Sequence, residues 1–251
     1  MASAKTRVQT PRTGSRSAQL SAELGRRIVG QIYPPASILP PEAALLQEFG
    51  ISRTVLRDAV KSLESKGLLQ ARQRVGTTVT PSAGWNMLDA EVLGWVAQSG
   101  ADPEFLIRLT ELRQIVEPGA CALAAQKADE TSLLRLEAAW ARMVAAVDDP
   151  QAFVAADHDF HIALLLAADN PYLASICAAI TAALTISLQH TNSTVARNRA
   201  SLPEHERIVL ALRQRDGQAA AEHSRALLDE AMRRLRAVKA PARLAVRQRG
   251  R

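Results

Sequence analysis

The 251-residue sequence predicts a mostly α-helical protein in two parts: a small N-terminal unit of helices closed by one β-hairpin, then an all-α antiparallel bundle. Three observations carry this. Aliphatic residues are abundant while Phe, Trp and Tyr make up only 4% of the chain, which suits helix packing better than sheets. Apolar residues recur at helical spacing from Ala18 to Lys239, broken at Gly and Pro clusters. The charge is uneven: residues 1–80 hold 12 Lys/Arg against 5 Asp/Glu, and the remainder holds 19 against 20. A basic module joined to a near-neutral one is the electrostatic footprint of a nucleic-acid reader with a separate second task.

Residues 1–17 are rich in Ser, Thr and Arg without periodicity and are expected to form a disordered basic tail. Leu20, Leu24, Ile28 and Val29 support a first helix over 18–30, ended by Tyr33-Pro34-Pro35. Pro41 suits the first turn of a second helix, which Ala44, Leu45, Gln47 and Glu48 continue. Gly50 stops that helix in a left-handed cap. Ser52 caps a third helix with Val55, Leu56, Ala59, Val60 and Leu63 on one face. Two helices joined by so short a glycine-containing turn form a helix-turn-helix. The third helix opens with Ser52, Arg53, Thr54 and Arg57, small or basic donors at the end that enters a major groove. Two β-prone runs follow, 68–71 and 77–80, with Arg72, Gln73, Arg74 and Gly76 at the tip between them. Residues 18–80 are therefore expected to be a winged helix-turn-helix, with double-stranded DNA as partner.

Thr80 to Gly84 has a linker's composition, and the linker is placed at 81–86. The second domain is expected over 87–239, with helices at 88–98, 103–127, 131–147, 151–168, 172–190, 203–215 and 218–239. Pro118-Gly119 should kink or break the second of these. Residues 191–201 are polar without apolar rhythm. Short connections imply an antiparallel bundle of six or seven helices, and residues 240–251 form a basic tail.

The helix over 151–168 carries ionisable groups on its apolar stripe. At about 100° per residue, His161 falls near 40° from Asp157, one turn along. His205 and His223 likewise share faces with apolar residues on two further helices. Three imidazoles and a carboxylate, delivered from different helices, form a ligand set for a divalent metal, Zn²⁺ first, with Ni²⁺, Co²⁺ or Mn²⁺ also suited. The plainer alternative is a core histidine satisfied by Asp157. Arg113 falls between Leu106 and Leu109 on its wheel, inside the apolar arc. There it either meets a carboxylate ligand bidentately or pairs with Glu117 at i+4. Arg234, on the His223 face, is a weaker candidate for the same pocket.

Other classes are disfavoured. Two cysteines, Cys121 and Cys177, offer neither a disulfide framework nor a C-x-x-C metal site. No run approaches the roughly 18 apolar residues of a membrane span, and no apolar segment follows the basic N-terminus, so the protein is expected in the cytoplasm. No Gly-rich phosphate loop occurs.

The order LP-x-E, FG-x-SR-T-x-x-R-x-A, L-E-x-x-G-L over residues 39–68 resembles the DNA-binding domain of the GntR superfamily of bacterial transcription regulators. Ala36 stands where that pattern normally has glycine, and Ala43 where an arginine often contacts DNA. E-L-R-Q-I-V-E-P at 111–118, D-H-D-F-H at 157–161, A-D-N-P at 168–171 and the later His205 and His223 are similar to the effector domain of the FadR-type branch. That resemblance implies a metal held by Asp157, His161, His205 and His223, and a carboxylate effector met by Arg113. Helix-turn-helix dimers read paired half-sites, so the expectation is a homodimer on a palindromic operator, a repressor released by a small hydroxy-carboxylate such as galactonate. Two rival functions remain open on the residues alone: a regulator whose signal is the metal itself, and a metal-dependent hydrolase fused to a DNA-binding module.

Overall fold

A computed structural model describes residues 15–72, 75–99, 103–176 and 194–239. The chain divides into two compact units, Met1–Ser99 and Gly100–Arg251.

In the first unit, α1 (Arg16–Val29) is capped by Ser15, whose hydroxyl accepts from the Ala18 amide. Helix α2 (Glu42–Phe49) ends at Gly50, whose φ of +59° is the left-handed turn into α3 (Arg53–Ser65). A side chain at Gly50 would hold that turn at a steric cost. Strand β1 (Leu69–Arg72) pairs antiparallel with β2 (Gly76–Val79), from Leu69 opposite Val79 to Arg72 opposite Gly76. Ile38 bridges to Thr78 on the other side of β2. Leu20, Leu24, Ile28, Leu45, Leu56, Leu63, Leu68 and Val79 form one core.

The segment expected as a linker belongs to this core. Residues 82–84 form a 3₁₀ turn, Trp85 is buried, and α4 (Ala90–Gln98) sends Val92 and Trp95 into the same cluster. Trp95 lies on α1 at Gly25, where a Cβ would stand 2.3 Å from the indole ring. Lys66, at the end of α3, reaches Asp89 at 2.6 Å and Glu91 at 2.8 Å. Asp89 in turn caps α4 by accepting from the amides of Glu91 and Val92. The boundary therefore moves from 81–86 to Ser99/Gly100. Helical periodicity had shown that α4 has an apolar face, but not which unit covers it.

The second unit is helical: α5 (Pro103–Lys127), α6 (Glu130–Ala145), α7 (Pro150–Ala167), α8 (Val195–Arg213) and α9 (Gly217–Lys239). Two local signals to stop a helix are overridden here for one reason. Pro118 does not break α5, and α8 runs through Pro203 from Val195, so residues 195–201 are helical rather than irregular. One missing N–H bond is outweighed where the helix is held along its length by neighbours. Helix α5 lies against α9 and α7, and α8 against α9 and α6. Phe153, Phe160, Leu164, Leu136, Met143, Ile208 and Leu212 fill the bundle core. Most of the helix expected over 172–190, with Cys177, lies outside the described residues, as do both tails.

Candidate DNA-binding face and candidate metal centre

The basic donors of the first unit sit where a groove can reach them. Ser52 caps α3, its hydroxyl accepting from the Val55 amide at 3.4 Å. Ser52, Arg53, Thr54 and Arg57 are exposed on the first turns of α3, and Arg72 and Gly76 are exposed at the hairpin end. Arg53 Nε lies 3.3 Å from Glu42 Oε1 at the start of α2, so it is held beside that helix rather than free. Arg74 lies outside the described residues. Ala36, the residue standing in the glycine position, has φ +67°.

In the bundle, α5 supplies Arg113 and Glu117, α7 supplies Asp157 and His161, and α8 supplies His205. All five are 3% exposed or less. His205 Nδ1 donates to the Ser201 carbonyl at 2.8 Å, because a carbonyl can only accept. The lone pair of Nε2 is thereby left facing Asp157 Oδ1 at 2.9 Å. Arg113 Nη2 donates to His161 Nε2 at 3.0 Å, and a guanidinium has no acceptor, so the proton of a neutral His161 is on Nδ1. That nitrogen is 2.9 Å from Glu117 Oε2, off the line of a well-formed hydrogen bond. The other oxygen of Glu117 accepts from Arg113 Nε at 2.6 Å. His161 Nε2 is also 3.5 Å from Asp157 Oδ1.

Asp157, His161 and His205 thus place one ligand atom each within 4.8 Å of one another. Buried acceptors that face one another repel unless a proton or cation is shared between them. The Phe160 ring packs edge-on against both imidazoles, with centroids 5.8 and 4.9 Å away. Burial pushes the Asp157 carboxyl up, but His205 and His161, once protonated, and Arg113 more than offset it and leave it below the usual range. Burial acts likewise on Glu117, where Arg113 and His161 prevail and bring it down to about 2. Both groups are carboxylates at neutral pH. Two imidazole nitrogens and a carboxylate oxygen, buried and close together, fit a divalent cation.

His223 does not join this group. Its side chain is about one-third exposed and its Nδ1 bonds Glu204 Oε2 at 2.9 Å. Periodicity placed it on the inner face of α9 without revealing the carboxylate it would meet there. Arg234 is half-buried, donates from Nε to Glu230 at 2.8 Å, and lines a cavity with Arg113, Asp157, His161 and His205. Of the two readings of Arg113, the structure shows the i+4 pair with Glu117, buried beside the cluster. Glu117 itself was missed as a site residue. Its signal was its place one turn beyond Arg113 on the same buried stripe.

Residues 16–79 match the model for bacterial regulatory proteins of the gntR family, and residues 108–230 match the FCD domain. The chain is 34% identical over 216 residues to the galactonate operon transcriptional repressor of Escherichia coli, covering 86% of this chain and 94% of that one. The chain belongs to the GntR family. It is 30% identical over 211 residues to the repressor NanR of Citrobacter rodentium, covering 81% and 79% of the two chains. The solved structure of Lar from Listeria monocytogenes shares the fold, at TM-score 0.65 and 20% identity over 90% of this chain and 99% of that one. As a GntR-family protein the chain is a DNA-binding transcription regulator with an FCD domain, not an enzyme. The hydrolase reading is thereby set aside. No described helix is long and apolar enough to cross a membrane.

Proposed function

We propose that this GntR-family regulator represses a sugar-acid catabolic operon. In this reading it acts as a homodimer on a palindromic operator and leaves it when a hydroxy-carboxylate such as galactonate binds in the bundle. The carrying observation is the cavity beside Asp157, His161 and His205, lined also by Arg113 and Arg234. Similarity to the galactonate operon repressor supports the choice of ligand class. The proposed ligand set is Asp157, His161 and His205, with His223 outside it and zinc the first candidate metal. A divalent ion there would supply positive charge to the carboxylate and neighbouring hydroxyl of a 2-hydroxy acid. Arg113 holds the remaining carboxylate oxygen with its terminal nitrogens, a charge-assisted contact. Arg234 and the carboxylates of Glu204 and Glu230, which also line the cavity, meet the polyol chain. On the first unit, Ser52, Arg53, Thr54 and Arg57 read the major groove, while Arg72, Arg74 and Gly76 form the wing contact.

The test uses a duplex selected from a random pool by the protein itself. Fluorescence anisotropy is followed during titration with galactonate and its epimers, at saturating zinc and after chelation. Galactonate or an epimer should release the duplex, and Arg234→Ala should blunt that response without weakening the initial binding. Release by zinc alone would favour metal as the signal. No release by any hydroxy acid at millimolar concentration would end the sugar-acid reading.

A further inference from the structure

We infer that Glu117 is the positioning residue that joins the metal half of this site to the effector half, an inference that rests on the function proposed above. One carboxylate serves both. Its Oε1 holds Arg113 Nε at 2.6 Å, and its Oε2 stands 2.9 Å from His161 Nδ1. Glu117 is buried and does not line the cavity, so it touches neither ion nor ligand and acts only through these two neighbours.

Two consequences follow from donor and acceptor chemistry. With Nε committed to Glu117, Arg113 offers a ligand carboxylate only its terminal nitrogens, which fixes the edge that recognises the effector. With a carboxylate beside Nδ1 and Arg113 Nη2 donating to Nε2, the His161 proton stays on Nδ1, and a metal would take the Nε2 lone pair in place of that Arg113 donor. A glutamine at 117 would reverse the second effect while nearly preserving shape. Arg113 Nε can only donate, so it takes the amide oxygen. The amide NH₂ then faces His161 Nδ1, which must accept, and the imidazole proton moves to Nε2. There it blocks coordination and points donor against donor at Arg113 Nη2.

The experiment compares wild type with Glu117→Gln by cobalt(II) titration, followed by visible absorption, and by galactonate titration of the DNA complex. Long-range ¹H–¹⁵N spectra of the histidine side chains are recorded in chelator. Cobalt affinity should fall on the order of 10- to 100-fold in the variant, the usual effect of losing an outer-shell partner. The galactonate response should fall with it, while DNA binding and helical content stay unchanged. In the wild type, His161 should carry its proton on Nδ1, and in the variant on Nε2. The switch of tautomer between wild type and variant is a signature that a merely structural residue would not control. It is read in the wild type even if the variant does not fold. Unchanged cobalt affinity in a folded variant, or an Nε2–H tautomer in the wild type, overturns the inference and leaves the proposed function standing. A wild type that binds no cobalt overturns both.

Discussion

The two units bury opposite things. Among the described residues of the winged unit the buried polar side chains are Ser21 and Thr78, and the basic residues proposed to contact DNA lie on the outside of an apolar core. In the bundle, Arg113, Glu117, Asp157, His161 and His205 lie inside, among leucines and phenylalanines. A surface reader can change its contacts at little cost to its fold. A buried cluster cannot, because each charged group is held by the next and removing one exposes the others to an environment that does not solvate them.

The comparison breaks most sharply at Arg113. Arg113→Ala leaves Glu117 charged and buried, and the bundle should lose about 3–5 kcal/mol, as when one partner of a buried pair is removed. Urea unfolding, with the two units followed by separate probes, checks that the loss is confined to residues 103–239. An unperturbed bundle would mean the buried charges are not coupled.

Acid should separate the units by the same route. Glu117 titrates near 4.5 when unfolded and near 2 when folded, so its contribution is present above pH 4.5 and disappears as pH falls toward 2. Asp157 shifts in the same direction. In the winged unit, Glu23 and Asp89 are lowered but partly exposed, so screening discounts them. The bundle should therefore show the steeper loss of stability across that window, read by circular dichroism and tryptophan fluorescence.

Within the winged unit, packing should outweigh surface charge. Gly25→Ala drives a methyl into the Trp95 ring and should cost about 1–3 kcal/mol, relieved in part by Trp95→Leu. Arg57→Ala should change stability by no more than about 0.5 kcal/mol, yet lower affinity for the selected duplex by about 1–3 kcal/mol if it reads a base. Equal effects on both measurements would contradict the division. One change should be a gain. Ala36→Gly releases an alanine from the left-handed region and should stabilise the unit by about 1 kcal/mol in thermal unfolding.

The helix-turn-helix was legible because local chemistry marks each of its ends: Pro41, Gly50 and Ser52 act within a few residues of where they stand. Boundaries that depend on distant partners were less so. Pro118 and Pro203 carry a local signal to stop, and bundle neighbours override it. Of the four metal candidates, Asp157, His161 and His205 come together as their wheel positions implied. His223 does not, because a wheel assigns a face and not a rotamer, and Glu204 is available at 2.9 Å. Arg113 was visible as a charge in an apolar arc. The double engagement of Glu117 was not, since it needs α5 and α7 side by side.

The attachment of α4 to the winged unit also decides where this regulator can be cut and rejoined. Removing residues after Thr80 would strip Trp85, Val92 and Trp95 from the first core and leave Lys66 without Asp89 and Glu91. Gly25 would lose the indole ring that covers it, opening an apolar core to water on an otherwise charged domain. A hybrid that keeps this DNA reader and borrows another sensor should therefore retain the chain through Ser99 and place its junction beyond that residue.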